Sequence, residues 1–433
     1  MTRSRLVAFF TSLSFFVVAA LVAGIVVGAL AQDADAPGLT RALGVVEDLG
    51  QVWLNALRMT VIPLVFSLLV TGIVAIADAA ATGRLAARAL MVFGVFLVGA
   101  TLYAILAGLG LLNLWPIDPQ AGQALLAGIP SDAAATVGAA ASTDGFQAFL
   151  NSLAPSNVIK AAADDGVLAV VVFAIAFGFA ATQVRAELRR PLAGFFEAVA
   201  ETMVVIVHWV LLAAPFGVFA LALGVGLRAG LGVAGTVGHY VAIVCLSQIG
   251  LILITYVVAI VWGRISLGRF ARAVAPAQVV GISTQSSLAS LPVMIERARD
   301  ALGVPQATAG LVLPLAVAVF RLTSPVANLA VCLYVAQLYG VELSVPVLFA
   351  GGLTAIAVSI ASVGLPGQVS FFASVGPICL AMGLPLGVLP LLLAVEVIPD
   401  IFRTVGNVTG DLAAARIVQG QDAEPDPESG SAI

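Results

Sequence analysis

Glu396, Asp400, Arg403, Asn407 and Asp411 stand in the run "EVIPDIFRTVGNVTGD", four, three, four and four residues apart. A helix turning about 100° per residue puts all five in one narrow stripe. Their types set the chemistry. A guanidinium beside carboxylates and an amide is either a structural ion-pair ladder, for which the Asp400/Arg403 spacing suffices, or a receptor for a zwitterion that carries a second carboxylate. The surroundings weigh toward the receptor. Of 433 residues 61% are hydrophobic and 10% charged, the mean hydropathy is +1.12, and each charge at a bilayer centre costs at least about 2.5–3.5 kcal/mol. Such a stripe has to face a polar cavity or its own partners.

The elements that position it are membrane helices. Apolar runs long enough to cross a bilayer predict spans at 6–30, 45–76, 85–114, 165–184, 195–227, 233–262, 305–339 and 385–418, about eight crossings. All are helical, because lipid cannot hydrate an open sheet edge. The first run exceeds the apolar length of a signal peptide and reads as a retained helix. Two further segments are broken midway by small, hydroxyl-bearing and helix-breaking residues: 273–300, with "GISTQSSLASLP", and 345–380, with "SIASVGLPGQVSFFASVGP". They read as re-entrant hairpins lining a cavity. A kinked continuous span is the alternative, and Gly364, Leu365, Pro366 and Gly367 in succession weigh against it. Residues 115–163 read as an extracytoplasmic loop leading into the next helix, and 419–433 as a disordered acidic tail.

Arg3 and Arg5, Arg84 and Arg88, "RAELRR" and "GRISLGRFAR" alternate with loops nearly free of Lys and Arg, which predicts a cytoplasmic N-terminus. The net charge of −4 comes with no basic stripe, so nucleic acid has no support as a partner. Three scattered cysteines suggest neither a disulfide framework nor a metal site. A membrane-embedded protease would need His-Glu-x-x-His, which is missing, and neither His208 nor His239 has a sequence-level link to Ser286 or Ser287 as the base of a hydrolase. The chain reads as no enzyme, needing no cofactor. An anion channel using the same cavity is the nearer rival to a carrier.

The motifs "LRMTVIPLVFSLLVTGI", "APFGVFAL", "STQSSLASLPV", "SVGLPG" and "DIFRTVGNVTGDL", in this order over nearly the whole chain, resemble the dicarboxylate/amino acid:cation symporter family, which includes the glutamate transporters. The resemblance implies an all-α fold of the elevator type. Scaffold helices would occupy 1–76 and 115–227, and a moving transport domain 77–114 and 228–418. It also implies a homotrimer in the cell (inner) membrane. By this resemblance Asp400 receives the substrate amino group, Arg403 the side-chain carboxylate, and Thr404 and Asn407 add contacts. Ser286 and Ser287 meet the α-carboxylate, Asp411 is a sodium ligand, and the Gly364 to Gly367 turn is the extracellular gate. Asp400 with Arg403 points to aspartate or glutamate as substrate.

The sequence also departs from the family. Where sodium-coupled members carry Asn-Met-Asp-Gly-Thr, this chain has Phe320, Arg321, Leu322, Thr323 and Ser324. Where the third span supplies Tyr, Thr and Ser to sodium, it has Phe93, Phe96 and Leu97. Hard cations need oxygen donors. The expectation is therefore that sodium coupling is reduced or lost, with Arg321 reaching toward Asp400 or the substrate as a tethered cation. A conventional sodium- or proton-coupled symporter is the alternative, and Glu396 is the candidate for carrying a proton.

Overall fold

Four of the long apolar runs fold as two helices each, and a proline sits in the first turn after every interruption. The computed structural model describes residues 13–33, 37–81, 83–127, 129, 153, 156–164, 166–230, 233–361 and 367–420. Among them every regular element is a helix. α1 (Leu13–Asp33), α2 (Pro37–Arg58) and α3 (Val61–Ala81) are followed by the long α4 (Arg84–Leu114). The short α5 (Pro119–Ala127) and α6 (Val158–Ala163) lie within the stretch expected as a loop. Then come α7 (Val167–Gln183), α8 (Ala186–Leu212), α9 (Ala214–Ala229) and α10 (Val233–Val261).

The interruptions follow from covalent chemistry. Proline has no N–H to give the carbonyl four residues back, and in the first helical turn that loss costs nothing. Pro63 stands in the first turn of α3 and Pro215 in that of α9. The same device splits the expected spans 305–339 and 385–418. α13 (Gln306–Val319) and α14 (Thr323–Tyr339) meet at Phe320 to Leu322, with Pro325 beyond. α17 (Leu389–Val395) and α18 (Val397–Gln419) meet at Glu396, with Pro399 beyond.

Between these pairs lie two helix-turn-helix units. α11 (Leu267–Thr284) packs on α12 (Ser287–Asp300), and α15 (Val345–Ala361) packs on α16 (Gly367–Ala381). Gln285, at the turn of the first, has φ +50°, a left-handed conformation that a non-glycine residue adopts only when its surroundings hold it there. The turn of the second, with Gly364, Leu365 and Pro366, lies outside the described residues, as do 421–433 of the expected tail.

Among the described residues five segments are long and apolar enough to cross a membrane: Leu43–Ala81, Arg84–Leu114, Ala186–Leu212, Val233–Val261 and Gln306–Tyr339. Shorter apolar helices include Phe15–Ala31, Val167–Gln183 and Ala214–Arg228. At the centre runs α14, apolar on every side and buried almost throughout, as a helix with no polar face must be. It packs against α4, α10, α15, α16 and α18. α18 in turn lies among α10, α11, α12 and α13, so the charged stripe faces the interior. At the other side α9 packs on α1 and α2, and α3 on α7 and α8.

Candidate functional site

The start of α18 and the break before α14 bring the polar side chains together. Arg403 Nη2 donates to Glu396 Oε1 at 2.6 Å, Nη1 donates to Asn328 Oδ1 at 3.3 Å, and Nε lies 3.8 Å from Asp400 Oδ1. All three charged side chains are enclosed: Arg403 and Glu396 are 5% and 3% exposed, Asp400 15%. A helical register placing 396, 400 and 403 on one face is what lets one guanidinium reach both carboxylates. Asn328 is itself held, its Nδ2 donating to Ser324 Oγ at 3.1 Å.

Asn407 performs a different task. Its Oδ1 accepts from the Thr323 backbone N–H at 3.0 Å and lies 2.8 Å from the Thr323 hydroxyl, which is also 2.9 Å from the Arg403 carbonyl. Thr323 is the first residue of α14, so its N–H has no partner within its own helix. Asn407 thus clamps the broken end of α14 to α18. Thr404 is buried one residue past Arg403 and faces Gly281 of α11.

The hairpin turn reaches the same place. Gln285 Nε2 donates to the Val397 carbonyl at 3.4 Å, tying the turn to the first residue of α18. Ser286 Oγ accepts from the Ala289 N–H at 3.2 Å and caps α12, so its hydroxyl serves the helix; Ser287 opens that helix. Gly367 opens α16, while Gly364, Leu365 and Pro366 are outside the described residues.

Arg321 occupies the break between α13 and α14 and is half-buried. Among the described residues Arg321 makes no ion pair within 4.0 Å, and Asp400 pairs with Arg403 at 3.8 Å. Arg321 acts at longer range, attracted by Asp400 and Asp411 and opposed by Arg403. A guanidinium in the field of two carboxylates, paired with neither within 4.0 Å, can respond to a ligand that enters that field.

The departures from the family pattern converge in space. Phe93 of α4 stacks on Phe320 with ring centroids 4.5 Å apart and planes 7° apart. Phe96 lies 5.9 Å from Phe320, and Trp262 meets Phe96 edge-on at 5.9 Å. Leu97 and Leu322 are buried too. Leu322 lies against Gly410, the residue before Asp411. Asp411 is fully buried, and neither carboxylate oxygen has a hydrogen-bond partner among the described protein groups. Among Phe93, Phe96, Leu97, Phe320, Leu322 and Asp411, Asp411 alone offers a side-chain oxygen. That set does not fit a hard cation.

His239 is engaged elsewhere, its ring nitrogens 3.2 Å from the Tyr334 hydroxyl and 3.1 Å from the Trp115 carbonyl; His208 is exposed. Sequence reasoning missed Asn328, Thr323, Tyr240 and Gln248. Gln248 donates to the Pro399 carbonyl at 3.1 Å, and the fully buried Tyr240 hydroxyl has no hydrogen-bond partner among the described residues. None of the four stands in a charged pattern, so their types and spacing give no periodic signal.

Fold and site define a polytopic helical membrane protein with a buried, charge-lined site among its central helices. The chain belongs to the sodium:dicarboxylate symporter family, whose model matches residues 13–421, and it is a transporter rather than an enzyme. It is 28% identical over 422 residues to the proton/glutamate-aspartate symporter of Escherichia coli (strain K12), covering 94% of this chain and 92% of that one. It is 27% identical over 379 residues to the proton/sodium-glutamate symport protein of Bacillus subtilis (strain 168), covering 86% and 85%. To the C4-dicarboxylate transport protein of Rhizobium johnstonii it is 26% identical over 422 residues, covering 96% and 90%.

Proposed function

We propose that this protein carries aspartate or glutamate across the inner membrane, working as a homotrimer in which the helices of residues 77–114 and 228–418 move against a scaffold. The observation that carries the substrate assignment is Arg403 beside Asp400 in an enclosed site. A guanidinium selects a carboxylate and the neighbouring carboxylate selects an amine. Names of relatives support the class: glutamate-aspartate and glutamate symporters, with C4-dicarboxylate carriers alongside. A C4-dicarboxylate without an amine would leave Asp400 unpaired. Ser286, Ser287 and the first-turn amides of α12 would receive the α-carboxylate, as the positive end of a helix does for anions.

Sodium coupling is weak or lost in this reading. Its support is the aromatic packing of Phe93, Phe96 and Phe320, which closes with hydrocarbon a region where a cation needs oxygen. Arg321 supplies fixed positive charge in the field of Asp400 and Asp411. The bare carboxylate of Asp411 favours a second reading, a residual cation site at that residue. Aspartate uptake into proteoliposomes under separately imposed sodium, proton and potassium gradients tests both. Uptake without sodium supports the first reading; uptake that requires sodium and disappears in Asp411→Ala supports the second.

A further inference from the structure

Glu396 holds Arg403 in a way that a ligand can improve on. The contact runs through one carboxylate oxygen, Oε1, while Oε2 is buried with no protein partner and Arg403 Nε likewise lacks a hydrogen bond. An arginine bound through one oxygen keeps donors in reserve, whereas a free carboxylate can meet its fork with two parallel bonds. Glu396 thus holds the place that the distal carboxylate of an acidic amino acid would take. We propose that Glu396 is an internal substitute for that carboxylate, and that its displacement from Arg403 by substrate makes it take up one proton.

The proton follows from charge balance. Displaced, an ionised Glu396 would be a buried carboxylate without its cation, a state far more costly than the paired one. A proton from solvent converts it to a neutral carboxylic acid that can donate a hydrogen bond. The groups facing it allow no cheaper neutralisation. From α18 these are Arg403 and Asp400; from α10 they are Tyr240 and Cys245, neither of them cationic. From α14 Asn328 is neutral and reaches Glu396 only through Arg403. α1, α9 and α16 also pack on α17, yet bring no titratable side chain into electrostatic contact with Glu396 among the described residues. Asp400 stays in the field of Arg321 and gains the substrate amine as a partner, so displacement leaves Glu396 rather than Asp400 without a cation. Tyr240 has a buried hydroxyl with no hydrogen-bond partner among the described residues and lies in the field of Glu396 and Arg403. It is placed to receive or orient the released acid.

This rests on the acidic amino-acid reading above, and one experiment separates the two. Aspartate binding to the purified full-length chain is measured by calorimetry at fixed ionic strength in two buffers of different ionisation enthalpy. The window is about pH 5 to pH 8.5, across which free aspartate keeps one net charge and a carboxylate buried as Glu396 is passes from neutral to ionised. The proposal expects the wild-type Kd to rise about tenfold per pH unit once Glu396 is ionised in the free protein, with close to one proton taken up. Glu396→Gln should bind aspartate with a Kd flat to about twofold and no proton uptake, since an amide neither competes as an anion nor titrates. Glu396→Asp should retain the slope and serves if the glutamine variant fails to fold. A wild-type Kd independent of pH without proton uptake, or an unchanged slope in Glu396→Gln, overturns the proposal while leaving the substrate assignment standing. Absence of aspartate binding at every pH overturns both.

Discussion

Arg403 is the residue on which the site turns, because among the described residues it alone reaches Glu396, Asp400 and Asn328 together. Replacing it with alanine removes the carboxylate grip and strands two buried acids, so aspartate affinity should fall by about 2–5 kcal/mol, a Kd about thirtyfold to several thousandfold weaker. Calorimetry on a variant that stays monodisperse checks this; unchanged affinity would sink the assignment of the distal carboxylate to Arg403. Arg321→Met should weaken aspartate binding to a similar degree with or without sodium, because the charge it removes is fixed and not ion-dependent. Recovery of full affinity in sodium alone would contradict the tethered-cation role. These residues were legible in sequence because charge in an apolar chain has few innocent explanations, and the 396/400/403 spacing fixes a shared face. Asn328 and Thr323 were not: an amide and a hydroxyl cost little enough in a helix that their presence predicts nothing until a partner across the helix pair is seen.

The decisive element is the break between α13 and α14. Beyond it Pro325 cannot donate to the Arg321 carbonyl, which instead accepts from the Ser324 N–H at 3.1 Å. The break is held by α18, through Asn407 and through two glycines that let the helices close. A Cβ at Gly406 would overlap Thr323, and one at Gly410 would come within 2.6 Å of Leu322. Gly410→Ala should therefore force Leu322 away and cost about 1–3 kcal/mol by overpacking, read as a lowered denaturation midpoint. Phe320→Ala should cost about 3–5 kcal/mol by emptying the stack against Phe93, and should leave the variant sodium-indifferent because no oxygens arrive with the space. A midpoint equal to wild type would show that the stack is loose. The hydropathy pattern predicted the runs 305–339 and 385–418 but not their division. Apolar residues flank both breaks, so hydropathy stays high across them, and only the prolines, read as first-turn residues, mark the boundary.

For the molecule as a whole, the proposed reading is a transporter of this family in which Phe93, Phe96 and Phe320 fill the expected cation region with hydrocarbon while α18 keeps a charged face. The two changes lie on different elements, α4 and the α13/α14 break, and they meet ring to ring. That contact joins residues more than two hundred positions apart. The sequence offered it only as two separate losses, which an alignment suggests and a three-dimensional packing unites. A carrier so built should bind its substrate without help from sodium, and equilibrium linkage gives the test its form, since a coupled ion and a substrate must change each other's affinity by the same factor. The direct measurement is aspartate affinity of the purified chain at constant pH and ionic strength, with sodium raised in tenfold steps against choline. The account predicts a Kd that moves by less than about twofold across the series. A Kd that falls steeply with sodium, and loses that dependence in Asp411→Ala, would contradict it and return the chain to sodium-coupled transport.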